Sequence, residues 1–172
     1  NLYLWSNKGQ NDFDRLMEAF RFWAVVEGVK HFVLDNVTCL VSHLEMTQQN
    51  VEINRIARTL AGFADELGVM VDVYSHLNPP GGNKSHENGA EVRENQFTGS
   101  RALQRWSHFM LGFERNKQAE GDEKHLSRIR VLKNRPYGLT GFIHTKYDPA
   151  TGCLEETDAH DIPITPDDEP FV

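Results

Sequence analysis

The sequence predicts an α/β fold, with a parallel sheet flanked by helices in the first half and an antiparallel hairpin toward the end. Two patterns carry that expectation. Short apolar runs alternate with segments of helical period in a β-α-β-α-β order up to residue 76, and continuously apolar strands of this kind belong to parallel sheets joined by right-handed crossovers. Later, the strand-like runs "HLSRIRVLKNR" and "TGFIHTKYD" lie on either side of "PYGLTG", a spacing that closes a hairpin.

Taken in order, "NLYLW" supplies a short apolar strand over residues 2–5, and "SNKGQN" supplies turn residues. Phe13, Leu16, Met17, Phe20 and Ala24 then recur at helical spacing until Gly28 ends them. "HFVLDN" (31–36) is a second strand; Ile53, Ile56, Leu60, Phe63 and Leu67 mark a second helix stopped by Gly68, and "VMVDVYSH" (69–76) is the third strand. Asp72 inside that strand is costly if buried alone, so a partner or an opening on that face is expected. Residues 78–98 are rich in Gly, Pro, Asn and Glu and too long for an ordinary connection, so they read as a working loop or a disordered segment. A short helix around "SRALQRW" and the strand-like "HFMLGFERN" lead into the hairpin.

At 172 residues and 39% hydrophobic content the chain can bury one ordinary core, most simply as one domain. It holds neither a run of about 18 apolar residues nor a charged-then-apolar leader, which points to a soluble intracellular protein without a membrane span. Cys39 and Cys153 lack C-x-x-C spacing and read as two reduced thiols, one in an apolar strand and one near a turn. The formal net charge of -7 resides entirely in the last 18 residues, where seven carboxylates meet no Lys or Arg. Residues 1–154 are neutral overall, so the low isoelectric point does not argue against a nucleic-acid surface on the body. The start at Asn1 without Met, inside a strand-like run, suggests a piece of a longer protein.

"GGNKSH" (81–86) looks like the end of a phosphate-binding loop, but Lys84 follows Asn83 and no glycine stands five residues before Gly82. No G-x-x-x-x-G-K-[ST] occurs anywhere in the chain. In an open parallel sheet the ligand lies beyond the C-terminal strand ends, which would gather Asn7, Asp35, Asn36 and His76 on one edge. Asp35, after "FVL", is placed like an acid that holds Mg²⁺ through water, or like a helix-capping or turn aspartate. His76 reads equally as a phosphate sensor and as a polar strand-end residue.

The runs "LYLWSNKGQ", "HFVLDN", "SHLNPPGGNKSHENG", "GSRALQRWSHFMLGFERN", "RVLKNRPYGLTG" and "KYDPATGCLEE" together resemble, in order and spacing, the C-terminal half of DnaB-type replicative helicases. The similarity is to the branch holding the bacteriophage helicase-primases and the mitochondrial Twinkle helicases, and it covers residues 1–156. It implies a RecA-like core and a hexameric ring that couples hydrolysis of ATP or another NTP, with Mg²⁺, to movement along single-stranded DNA. On that resemblance Asp35 matches the Walker B acid and His76 the histidine near the γ-phosphate. Arg135, with Lys133 beside it, matches the arginine finger that reaches a neighbouring subunit's nucleotide; the residues' own alternative is a solvated hairpin turn. Arg115 and Tyr147 match the pair that sandwiches the base, although Tyr147 also reads as a half-buried strand aromatic. "NPPGGNKSHENG" matches the central-channel loop, so Lys84, and more weakly His86 and Arg93, would contact DNA phosphate; otherwise Lys84 is a surface lysine.

Where the family often has glutamine at the seventh residue of the "GS" motif, this chain has Arg105, with Gln104 beside it, and neither receives a role. The Walker A loop and catalytic glutamate lie upstream in the family, so the chain by itself is expected not to hydrolyse NTP. Residues 157–172 read as an acidic flexible tail. Phe171 beside Asp167, Asp168 and Glu169 is similar to the phage tails that dock on a replicative DNA polymerase. The resemblance places the protein in the cytoplasm of a bacterial or phage-infected cell, or alternatively in the mitochondrial matrix. Two other readings remain open: a non-catalytic RecA-like DNA-binding or scaffold module, and a recombinase-type ATPase.

Overall fold

In the computed structural model, which describes residues 1–6, 12–81 and 85–157, the rings of Phe20, Phe32 and Phe63 meet at one point. Phe20 comes from α1 (Phe13–Val25), Phe32 from β1 (His31–Leu34) and Phe63 from α3 (Met46–Leu67). Phe32 lies 4.7 Å from Phe20, and 5.2 Å from Phe63 in an edge-on approach, the spacing at which aromatic pairs add to simple burial. Of the helical positions predicted to face inward, Phe13, Leu16, Met17, Phe20 and Ala24 on α1 and Ile53, Ile56, Leu60 and Phe63 on α3 are buried, and Leu67 is half-buried against the same core.

Local chemistry sets the helix ends. The Asp12 side chain accepts the Arg15 N–H at 3.0 Å to cap α1, and Gly68 ends α3 in the left-handed conformation at φ 59°. Across the two helices, Arg21 grips Glu66 through Nη1 and Nη2 at 3.0 and 2.8 Å, which holds the Glu66 carboxyl below its ordinary pKa. Beside β1, β2 (Met70–Val73) runs parallel, pairing His31 with Met70 through to Leu34 with Val73. Asp72 has the partner its position demands: its Oδ2 lies 2.7 Å from His31 Nε2.

The first expected strand does not form. Residues 1–6 are irregular, because "NLYLW" finds no ladder partner among the described residues; Tyr3 and Trp5 instead turn their rings toward Trp23. A short helix unforeseen in the sequence, α2 (Val37–Val41), follows β1 and buries Val37, Leu40 and Val41. Cys39 therefore sits in a helix and not in a strand; both cysteines are free. These elements, with α4 (Ser100–Trp106), belong to one compact unit of residues 1–78 and 95–107.

The second unit takes residues 79–94 and those from 108 onward. Its sheet is an antiparallel meander, β3 (Phe109–Arg115), β4 (Leu126–Asn134), β5 (Gly141–Asp148) and β6 (Cys153–Glu156), in that spatial order. The expected hairpin is β4–β5. The sequence reading missed β6, a short polar strand that follows the turn after Asp148 and pairs Tyr147 with Leu154. Met110, Gly112 and Glu114 lie on the buried face of β3, while Phe109 and Phe113 on the other face remain more than half exposed.

Candidate functional site

Asp35 and Asn36 leave the C-terminal end of β1, and His76 follows β2, so parallel pairing brings them to one edge. The pairing continues past the strands: Tyr74 N–H donates to the Leu34 carbonyl and Val37 N–H to the Tyr74 carbonyl, each at 2.9 Å. Asn36 is the cap of α2, its Oδ1 accepting the Cys39 N–H at 2.9 Å and the Thr38 hydroxyl. With Oδ1 so engaged, its Nδ2 lies 3.3 Å from His76 Nε2. Capping thus falls to Asn36. The Asp35 side chain is exposed and takes no hydrogen bond or ion pair from any described residue. A lone exposed carboxylate fits an ion held through water and does not by itself make a direct metal site; among the described residues no group of three His, Cys, Asp or Glu could hold a metal. Asn7 lies outside the described residues.

In the second unit, Lys133 and Arg135 lie two residues apart where β4 runs into its turn. The turn is closed by Gly138 N–H to the Asn134 carbonyl at 2.7 Å, and Arg135 N–H donates to the His108 carbonyl at 2.9 Å. Arg135 is exposed; Lys133 is half-buried. Burial first, and the Arg135 charge second, push the Lys133 ammonium below its ordinary pKa, with Glu94 pulling the other way. Two adjacent cations, one partly desolvated, make a place that an anion would relieve.

Arg115 ends β3, exposed, and its Nε donates to the Lys124 carbonyl at 2.9 Å. The next residue, His125, sets its ring 6.2 Å from that of half-buried Tyr147. Arg115 pairs with Ser127 and Ser127 with Thr145, so Arg115 and Tyr147 share a face of the sheet, on strands about 10 Å apart across β4. Sequence reasoning passed over His125, whose place is set by the short 3₁₀ turn at Gly121–His125.

Of the loop candidates, Lys84 lies outside the described residues. His86 is half-buried beside the turn that returns Asn88 N–H to the Ser85 carbonyl at 3.0 Å. Arg93 is exposed, 3.8 Å from Glu91. The downstream limb of the loop is laid along the end of β3: Lys117 N–H donates to the Glu87 carbonyl at 2.8 Å, and Asn88 bridges to Asn116. Glu114, which the sequence did not single out, is buried here against Arg128 and Arg130.

No known protein-family profile matches the chain. Its sequence is 34% identical over 154 residues to the DNA helicase/primase of enterobacteria phage T3, a match that spans 89% of this chain and 27% of that protein. A solved DnaB-like replicative helicase, studied with its interactions with primase, superposes with a TM-score of 0.58 at 17% identity, over 82% of this chain and 33% of that one. The fold is that of a DnaB-like helicase: a RecA-like α/β core, here with its parallel strands and an antiparallel sheet. In sequence the chain is similar to a phage helicase/primase and in fold to a DnaB-like helicase, as a segment resembling the C-terminal part of such proteins, and it spans about a quarter of the phage relative.

Proposed function

We propose that residues 1–156 are the C-terminal portion of the motor domain of a ring-forming replicative DNA helicase, which couples NTP hydrolysis to movement along single-stranded DNA. The observation that carries this reading is the edge beyond β1 and β2, where an Asp35 carboxylate unengaged by any described residue stands in sequence next to Asn36, which holds His76, in a chain related to a phage helicase/primase. Supporting it, both sheets expose apolar side chains, Val33 and Met70 on one and Phe109 and Phe113 on the other, as strands do when further parts of a domain cover them.

In the working ring an NTP would supply the phosphoryl group to be transferred, and Mg²⁺ would neutralise its charge. Asp35 would hold the ion through water, its carboxylate accepting hydrogen bonds from waters that Mg²⁺ gives up reluctantly. His76, oriented by Asn36, reads the terminal phosphate. The exposed Arg135 and its neighbour Lys133 offer their charge to the nucleotide of an adjacent subunit, where fixed cations stabilise charge that develops during transfer. Arg115 and Tyr147 bracket the base, with His125 backing Tyr147. Lys84, His86 and Arg93 meet the DNA backbone, and the acidic tail, which lies outside the described residues from 158 onward, engages a polymerase. The chain alone is inactive, since its sequence holds no phosphate-cradling glycine loop.

Strand separation tests the proposal. The complete protein should separate a forked DNA duplex with NTP and Mg²⁺, and the 172-residue chain should not. A complete protein that binds single-stranded DNA yet neither hydrolyses NTP nor separates strands is a binding module instead.

A further inference from the structure

Glu114 carries more contacts than a strand residue needs. It is 4% exposed on the inner face of β3. Its Oε1 accepts Arg130 Nε at 2.6 Å and the Val92 N–H at 2.9 Å; its Oε2 faces Arg128 Nε at 3.0 Å and Arg130 Nη2 at 3.3 Å. Arg130 also extends Nη1 to Glu91 Oε1 at 3.5 Å. Both guanidinium groups lie 5.3 Å from the Phe142 ring of β5, a further constraint on their planes.

Three functional segments converge on this carboxylate. Val92, fully buried, is on the downstream limb of the polar loop and is pressed on β3 so closely that a Cβ at Gly112 would stand 2.8 Å from its side chain. Arg115, the candidate base contact, is the next residue along β3. Arg130 lies on the same strand as Lys133 and leads straight to Arg135. Glu94, from the same loop, also raises the Lys133 pKa against the effects of burial and Arg135.

Stability is a poor reason for such a cluster. Buried ion pairs are expensive to desolvate, and packed apolar residues of similar volume commonly do as well or better. What a carboxylate held by two guanidinium forks and a backbone N–H does provide is fixed geometry. We propose that Glu114 is a positioning residue that ties the DNA-contacting loop to the β4–β5 hairpin carrying Lys133 and Arg135, so that a shift of the loop on DNA is transmitted to the cations that act on a neighbour's nucleotide. The inference rests on the helicase reading above.

The test is NTP turnover by the complete ring with and without single-stranded DNA, beside DNA affinity. Glu114→Gln keeps the shape and the acceptor for Val92 but removes the charge. Turnover without DNA and affinity for DNA should stay within about twofold, while stimulation by DNA falls about tenfold or more, the scale of ordinary site-to-site coupling. Equal loss of turnover with and without DNA, or unchanged stimulation, overturns the proposal. If Glu114→Gln does not fold, Glu91→Gln serves, since Glu91 is 40% exposed at its side chain and contacts Arg130 from the loop. It should lower stimulation severalfold with unstimulated turnover intact, and unchanged stimulation again overturns the idea. A wild-type ring that DNA does not stimulate would refute the helicase reading itself.

Discussion

Asn36 Nδ2 lies 3.3 Å from His76 Nε2 while Asn36 Oδ1 accepts the Cys39 N–H. The amide orientation is thereby fixed: the nitrogen, a donor only, faces the ring, so Nε2 must accept and the ring proton sits on Nδ1. One side chain both caps α2 and sets the tautomer of His76. Asn36→Ala should cost about 1 kcal/mol through the lost cap, and in the complete protein it should weaken DNA-stimulated turnover beyond what that loss explains. A melting curve and a turnover assay on the same variant separate the two effects; stability loss with full turnover would show that His76 needs no such partner.

Arg135→Ala in the complete protein should leave folding and most nucleotide binding intact and reduce turnover by roughly 10³-fold, the usual worth of an arginine supplied to a phosphoryl-transfer site. Mixing this variant with Asp35→Ala tests whether the two residues serve one site from different subunits. Recovery of activity in mixed rings is expected, and wild-type turnover in Arg135→Ala alone would reject the assignment.

Lys133 gives a pH dependence with a definite sign. Its pKa in the fold lies below the ordinary 10.5 because of burial and of Arg135, so between the two values the unfolded chain binds more protons and stability rises with pH. Arg135→Ala should move the Lys133 titration upward, and Glu94→Gln should move it further down. The pH dependence of Lys133 acylation, read by mass spectrometry, reports both shifts; no movement in either variant would mean that these charges do not act on Lys133.

Two glycines should respond oppositely to alanine. At Gly99, φ is +73° and an added Cβ would lie 2.6 Å from Cγ2 of the fully buried Ile53, so Gly99→Ala should destabilise by about 2–4 kcal/mol. Gly62, exposed within α3, has nothing within 4 Å of that position, and Gly62→Ala should stabilise by up to about 1 kcal/mol. Paired denaturation curves decide this, and equal midpoints would contradict the close approach of Gly99 to Ile53.

The helices were legible because their periodicity is local: every residue from Phe13 to Ala24 picked out by spacing is buried. Strands depend on partners far along the chain. "NLYLW" has the composition of a strand but no neighbour to bond, whereas Cys153–Glu156 has little apolar character and still pairs, because the turn at Asp148–Gly152 returns it to β5. The need of Asp72 for company was legible, but its partner was not, since His31 meets it only through the β1–β2 register. For the same reason nothing in "FERN" singled out Glu114; Arg128 and Arg130 join it only when β3 and β4 pair. Strand-end reasoning placed Asp35, Asn36 and His76 on one edge, motif resemblance singled out Arg115, Lys133, Arg135 and Tyr147, and the hydrogen bonding of Asn36 and the place of His125 came from the fold.

The most direct measurement is NTP turnover by the complete protein, with and without single-stranded DNA, in wild type and in Asp35→Ala. Turnover that DNA stimulates and that Asp35→Ala abolishes, with DNA binding retained, is the predicted result. Hydrolysis indifferent to DNA or to the loss of the Asp35 carboxylate would contradict the assignment of this chain to a helicase motor.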